Sequence, residues 1–113
     1  MSKYIILINL DNILREKYLE SYLKEGYTLI YSDDNSLAFR LGESNLDNKE
    51  ELDYIRGAIS NIKRTRLKKV IILDISDEMS KVTGKPHLDN LFWKRIKNKA
   101  ISSLVEWFNK DKI

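Results

Sequence analysis

The chain has no cysteine, one histidine and one proline among its 113 residues. Without cysteine it cannot form disulfides, use a catalytic thiol or bind a metal through thiolates, and this composition is typical of a reducing cytoplasm. The single histidine, His87, cannot form a zinc site alone and has no identifiable nucleophile–base partner. We therefore expect a cytoplasmic protein without a metal or another cofactor.

Long apolar segments are also missing. The apolar run near the N-terminus, Tyr4 to Ile8, is too short to span a membrane, and no small-residue cleavage site follows it. We expect no signal peptide, no anchor and no membrane partner. The length, 42% hydrophobic residues and 33% charged residues are typical of one globular domain, here residues 1–113.

The charge is unevenly distributed along the chain. Residues 1–57 carry seven basic and eleven acidic side chains, whereas residues 58–113 carry thirteen and six. Five basic residues fall within seven positions: Lys63, Arg64, Arg66, Lys68 and Lys69. Such asymmetry is typical of a protein with a charged partner, and nucleic acid is the first candidate.

The first half of the chain reads as strand, helix and hairpin. Residues 3–10 predict a buried strand, Asp11 or Asn12 caps a helix, and Gly26 ends that helix. Residues 27–32 and 36–41 predict a hairpin around Asp33-Asp34-Asn35. The apolar positions of the helix share one face: Leu14, Tyr18, Leu19, Tyr22 and Leu23.

The second half reads as helix, strand, loop and helix. Asp47 and Glu50 form a capping box for a helix that continues through Ile62. Val70–Ile75 predicts another buried strand, residues 76–87 a polar loop, and residues 88–109 an amphipathic helix. No internal repeat or low-complexity segment is present.

The order predicts an α/β (α+β) fold, a ferredoxin-like βαββαβ sheet over residues 3–75 with an additional C-terminal amphipathic helix. The first and last strands are apolar on both faces, so both faces of the sheet must be buried. The C-terminal helix or the sheet of another subunit could cover the second face. We expect both to contribute, which predicts a homodimer.

The basic run 63–69 has two interpretations. It could contact phosphates, which makes binding salt-dependent, or it could favour a helix C-terminus and decorate an exposed turn. A second basic cluster lies on the last helix and consists of Lys94, Arg95, Lys97 and Lys99. These side chains point in several directions around the helix axis, and only Arg95 and Lys99 clearly share the polar face. We expect that cluster to be solvated surface unless folding brings it against the first.

Other residue types give weaker hypotheses. The aromatic rings Tyr4, Tyr27, Tyr31 and Phe39 could stack on bases, but core packing is the more common role. Asp11 could bind a metal or cap a helix. It cannot share a site with Asp74 in this fold, because the carboxyl termini of antiparallel strands lie at opposite ends of the sheet.

The βαββαβ order, the length and Asp11 after the first strand resemble small ferredoxin-like proteins of microbial defence and toxin–antitoxin systems. These include the small CRISPR-adaptation subunit and VapD-type ribonucleases. The resemblance covers residues 3–75 and implies a dimer that acts on nucleic acid, with Asp11 at the position of a catalytic aspartate. It does not extend to residues 76–113.

The predicted function is that of a small non-enzymatic regulatory protein, from a microbe or a mobile element, that binds DNA or RNA. The predicted contacts are Lys63, Arg64, Arg66, Lys68, Lys69, Arg95 and Lys99. Two alternatives stay open. One is a metal-dependent nuclease that uses Asp11, and the other is a protein–protein interaction module without nucleic acid.

Overall fold

The computed structural model describes residues 2–82 and 90–110, with side chains described up to 109, as four strands and four helices. The predicted loop segment around His87 lies outside these residues. The elements in chain order are β1 (Lys3–Ile8), α1 (Asn12–Lys24), β2 (Thr28–Ser32), β3 (Ser36–Leu41), α2 (Asn48–Lys63), β4 (Ile71–Asp74), α3 (Ser76–Ser80) and α4 (Asn90–Lys110).

The four strands form one antiparallel sheet in the order β2-β3-β1-β4. Strand β1 pairs with β3 from Lys3–Leu41 to Ile8–Ser36, and with β4 from Ile5–Asp74 to Ile8–Ile71. The predicted hairpin is therefore present as β2 and β3. Its turn is closed by the Asp33 amide, which donates to the Ser36 carbonyl at 3.1 Å.

Strand β1 is buried on both faces. Every residue from Tyr4 to Ile8 is at most 7% exposed, as expected for a central strand without polar alternation. The side chains of Ile5 and Leu7 lie in one cluster, and those of Tyr4, Ile6 and Ile8 lie in another. The sheet therefore needs cover on both sides.

Among the helices that the structure describes, α1 alone covers the Ile5 face. Its apolar side chains pack on Leu37 and Phe39 of β3, and the Tyr22 and Phe39 rings stack with centroids 4.9 Å apart. None of the α1 residues is fully buried. This layer is thin.

The other face carries the larger layer, which is built from three helices. Helices α2, α3 and α4 bury their apolar side chains over Ile6, Ile8, Ile71 and Leu73. Their buried contributions are Tyr54, Ile55, Ala58, Ile59, Ile62, Met79, Phe92, Ile96 and Ala100. The C-terminal helix was expected to cover the face opposite α2, and this was wrong: it lies on the same face as α2, and α1 packs on the opposite face.

The placement of α1 and α2 differs from the ferredoxin-like expectation, in which both helices lie on one face. The connections β1-α1-β2 and β3-α2-β4 each join parallel strands that are not neighbours. Two right-handed crossovers in this strand order would place both helices on the same face. Since α1 and α2 lie on opposite faces, the two crossovers have opposite hands.

The predicted helix boundaries agree with the observed caps. Asp11 and Asp47 are the N-caps of α1 and α2, and each accepts a backbone N–H at 2.8 Å. Gly26, which follows the C-cap of α1, has φ +96°. A left-handed conformation of this kind ends a helix at little cost when the residue is glycine.

The predicted loop 76–87 begins with a short helix, α3. Its first residue is held by Asp74, whose carboxylate accepts the Ser76 amide at 2.9 Å. Met79 is buried in the main core cluster and fixes the segment to the sheet. Val82 also packs against this cluster. The polar residues 76–78 gave no indication of these apolar contacts. None of the described helices is long and apolar enough to cross a membrane.

Helices α2 and α4 are in close contact at Gly57. A Cβ atom at this position would lie 2.7 Å from two carbons of the Trp93 ring. The Asn61 side chain donates to the Trp93 carbonyl at 2.6 Å, and the Tyr54 ring packs on Trp93 with centroids 5.7 Å apart. Glycine at position 57 therefore sets the distance between the two helices.

We predict that Gly57→Val separates α2 from α4 and lowers the free energy of unfolding by about 2 kcal/mol more than Ser60→Val does. Both variants place a β-branched residue in the helix, and only Gly57→Val adds overpacking against Trp93. Urea unfolding of both variants measures the difference. In a Trp93→Ala background the excess should shrink, since the clashing ring is gone. Equal losses for the two variants would contradict this contact.

Candidate nucleic-acid interface

A cleft of about 540 Å³ lies between the C-terminal half of α2 and the N-terminal half of α4. The helices meet at Gly57 and Trp93, and these two residues line the cleft together with polar side chains from both helices. Its lining residues are Gly57, Ser60, Asn61, Arg64, Asn90, Trp93, Lys94 and Lys97. The cleft thus joins the basic run to the basic cluster of α4.

The lining is strongly cationic. Of the residues that the structure describes, Arg64, Lys94 and Lys97 line the cleft as cations and no carboxylate lines it. All three are exposed. Like charges held around one concave surface repel each other and attract an anion. Ser60, Asn61 and Asn90 add hydroxyl and amide groups that can donate to phosphate oxygens.

The arrangement of Trp93 adds an aromatic wall. The ring is partly buried and packs edge-on against Phe92 with centroids 4.5 Å apart. Its contacts with Tyr54 and Gly57 fix its position, so the ring is ordered before any ligand arrives. Proteins that bind single-stranded nucleic acids combine aromatic rings, on which bases stack, with cations that contact the phosphates.

Lys63, predicted as a phosphate contact, forms an ion pair away from the cleft. Its Nζ lies 2.6 Å from the Asp33 carboxylate, which also accepts from the Tyr31 hydroxyl at 2.7 Å. Burial tends to raise the pKa of Asp33, but the hydrogen bonds from Lys63 and Tyr31 outweigh it and the pKa is lowered. The ion pair joins the hairpin turn to the end of α2.

The connection between α2 and β4 is also held in place. The Asn9 side chain donates to the carbonyls of Leu67 and Lys69, and Arg66 has φ +56°. The Lys69 ammonium lies 4.4 Å from the centroid of the Trp107 ring, a cation–π distance. Lys68 is exposed.

The two residues predicted on α4 lie outside the cleft. The Lys99 ammonium contacts the Asp74 carbonyl and lies 3.4 Å from the Glu78 carboxylate. Arg95 is exposed on the same side of the helix as Lys99. Lys94 and Lys97, which belong to the predicted basic cluster of the last helix but were not among its predicted contacts, line the cleft instead. The signal that could have identified them is the spacing of Asn90, Trp93, Lys94 and Lys97, which is that of one helical face.

Asp11 and the aromatic candidates have structural roles. Asp11 caps α1, and strands β1 and β4 are antiparallel, so Asp11 and Asp74 lie at opposite ends of the sheet. Burial tends to raise the pKa of Asp74, but hydrogen bonds from Ser76 outweigh it and the pKa is lowered. Among the described residues no three metal-ligating side chains cluster. Tyr4, Tyr27 and Phe39 are buried, and Tyr31 packs against the core.

Comparisons with protein-family models, with curated proteins and with solved structures found no match.

We predict that Asp33→Asn destabilises the fold by about 1 kcal/mol at neutral pH, because the ion pair to Lys63 is lost. A carboxylate whose folded pKa is depressed stabilises above its unfolded pKa and loses that effect as the pH falls through the folded value. The gap between the variant and the unaltered chain should therefore close in acid. Urea unfolding at neutral pH and at pH about 2 measures it.

The control for this prediction is Asp34→Asn, an exposed neighbour in the same turn. It should leave stability unchanged at both pH values. A gap that stays constant with pH would show that the Asp33 charge contributes nothing.

Proposed function

We propose that the chain binds nucleic acid in the cleft between α2 and α4, without catalysing a reaction on it. The observation that carries this proposal is that Arg64 of the basic run meets Lys94 and Lys97 of the last helix, with no carboxylate among the described lining residues. These two groups lie 30 residues or more apart in the chain. Folding therefore concentrates positive charge where neither segment could do so alone.

The proposed contacts differ in kind. Arg64, Lys94 and Lys97 would neutralise phosphates, which supports affinity and makes it salt-dependent. Ser60 and Asn61 would donate hydrogen bonds to phosphate or sugar oxygens. Trp93 would stack on an unpaired base, so the proposal favours single strands over duplex.

Six of the seven sequence-predicted contacts lie outside the cleft and have smaller roles in this proposal. Lys63 and Lys99 are engaged with Asp33 and Glu78, so each would need to leave a carboxylate before it could bind a phosphate. Arg66, Lys68, Lys69 and Arg95 would add long-range attraction from outside the cleft.

We also propose that the architecture is a variant of the ferredoxin-like plan. The element order β-α-β-β-α-β and the four-stranded antiparallel sheet support a relation. The position of α1 on the opposite face from α2 is the departure from that plan.

The test replaces two cleft cations and compares them with two cations elsewhere. Arg64→Gln with Lys97→Gln should weaken binding of a short single-stranded oligonucleotide at least about tenfold at about 0.1 M salt, and lower the slope of log affinity against log salt by about 2. Lys17→Gln with Lys24→Gln removes the same charge from exposed sites on α1 and should change affinity much less. Fluorescence anisotropy over a salt series, with single- and double-stranded DNA and RNA, provides the readout.

Each other result has a clear meaning. Equal losses in the two variant pairs would show attraction by net charge alone and contradict the cleft. Absence of binding to every probe at low salt would contradict nucleic-acid binding and move the search to protein partners. Binding that persists at about half-molar salt would exclude phosphate contacts as its main source.

A further inference from the structure

The two edges of the sheet differ in how they are protected. At the β2 edge, the pairing with β3 shifts register between Leu29 and Tyr31, and a bulge of this kind discourages pairing with another chain. Strand β4 is paired with β1 without a register shift. From Val70 to Leu73 it carries no charge and no proline. Natural edge strands seldom lack a bulge, a charge and a proline together.

The outer side of β4 offers both backbone groups and apolar surface. The Ile75 amide donates to the Tyr4 carbonyl at 3.0 Å, so residues 71, 73 and 75 direct their backbone groups at β1. By alternation, Ile72 and Asp74 direct theirs outward. The side chains of Val70 and Ile72 are 39% and 44% exposed. In the part of the chain that the structure describes, no strand pairs with this side.

Helix α4 runs beside this edge in the opposite direction. The Lys99 ammonium contacts the outward carbonyl of Asp74, at one end of β4, and Trp107 lies over Lys69, at the other end. Ser102 therefore lies near the level of Ile72. The polar stripe that accompanies the edge is Arg95, Lys99, Ser102 and Glu106, which share one side of the helix.

We propose that a second copy of this chain pairs with β4, antiparallel and edge to edge, with the two-fold axis at Ile72. The charges are self-complementary in that arrangement. Lys68 and Lys69, which precede β4, then lie at the end of the other copy's strand that carries Asp74. On the helices, Glu106 of one copy approaches Lys99 of the other, which keeps its contacts with Asp74 and Glu78 of its own chain, and the small Ser102 lies at the axis.

This pairing covers the β4 edges of both copies with one contact. An isologous interface of this kind satisfies the outward backbone groups of both Ile72 residues at once. The result is an eight-stranded sheet with the two-fold axis perpendicular to the plane of the sheet. The α2–α4 layers of both copies therefore lie on the same face. An unrelated strand could use the edge but would not meet both charge patterns in register.

The first test measures mass in solution. Sedimentation equilibrium should show a dimer for the unaltered chain. Ile72→Lys places like charges opposite each other at the axis and should raise the dimer Kd at least about tenfold. The control Leu29→Lys changes a residue of similar exposure, 37%, on the β2 edge and should leave the Kd unchanged. A chain that stays monomeric at about 0.1 mM, or a dimer that Ile72→Lys does not weaken, would overturn the proposal.

The second test does not depend on weakening the fold or the dimer. The chain contains no cysteine, so Ile72→Cys and Leu29→Cys each introduce one thiol. A short bis-maleimide should link two Ile72→Cys chains within the dimer and should not link Leu29→Cys chains. Equal linking of the two variants, or linking of Leu29→Cys alone, would place the interface elsewhere.

Discussion

The burial of β1 on both faces is the constraint on which the rest of the structure depends. A strand whose residues from Tyr4 to Ile8 are all apolar and at most 7% exposed cannot border solvent on either side. Helix α1 covers one face and is itself only partly buried. The other face needs three helices, so the C-terminal segment is a component of the core and not an appendage.

The packing of α4 on α2 leads directly to the candidate site. Because Gly57 has no side chain, the Trp93 ring can lie against α2, and both residues line the cleft between the two helices. The same contact aligns Arg64 with Lys94 and Lys97. A requirement of the core thereby brings together cations from two distant segments, and positive charge concentrated in a concave surface attracts an anionic polymer.

Local signals in the sequence predicted the elements well. Asp11 and Asp47 cap the helices that they were expected to cap, Gly26 follows the end of α1, and the hairpin turn is at Asp33. These features depend on neighbouring residues. The face on which α1 packs depends on the whole sheet, and the sequence did not predict it. Met79 illustrates the same limit, since one buried methionine converts a polar stretch into α3.

The candidate site was predicted only in part for a related reason. The charge count included Arg64, which lines the cleft. It could not show that Lys63 is paired with Asp33, or that the Lys69 ammonium lies over the Trp107 ring. The helical periodicity of α4 separated its sides but could not show which side faces α2. That depends on the contact between Gly57 and Trp93, which are 36 positions apart in the chain.

The two tryptophans of the chain allow the most direct test of the cleft. Trp93 lines the cleft, whereas Trp107 lies beside Lys69 in the basic run. In a ¹⁵N–¹H spectrum each indole N–H gives its own signal, and a short single-stranded oligonucleotide can be titrated at low salt. If nucleic acid binds in the cleft, we expect a saturable shift of the Trp93 signal and of the amide signals of Ser60 and Asn61, with little change in the Trp107 signal. A shift of Trp107 without Trp93 would contradict binding in the cleft.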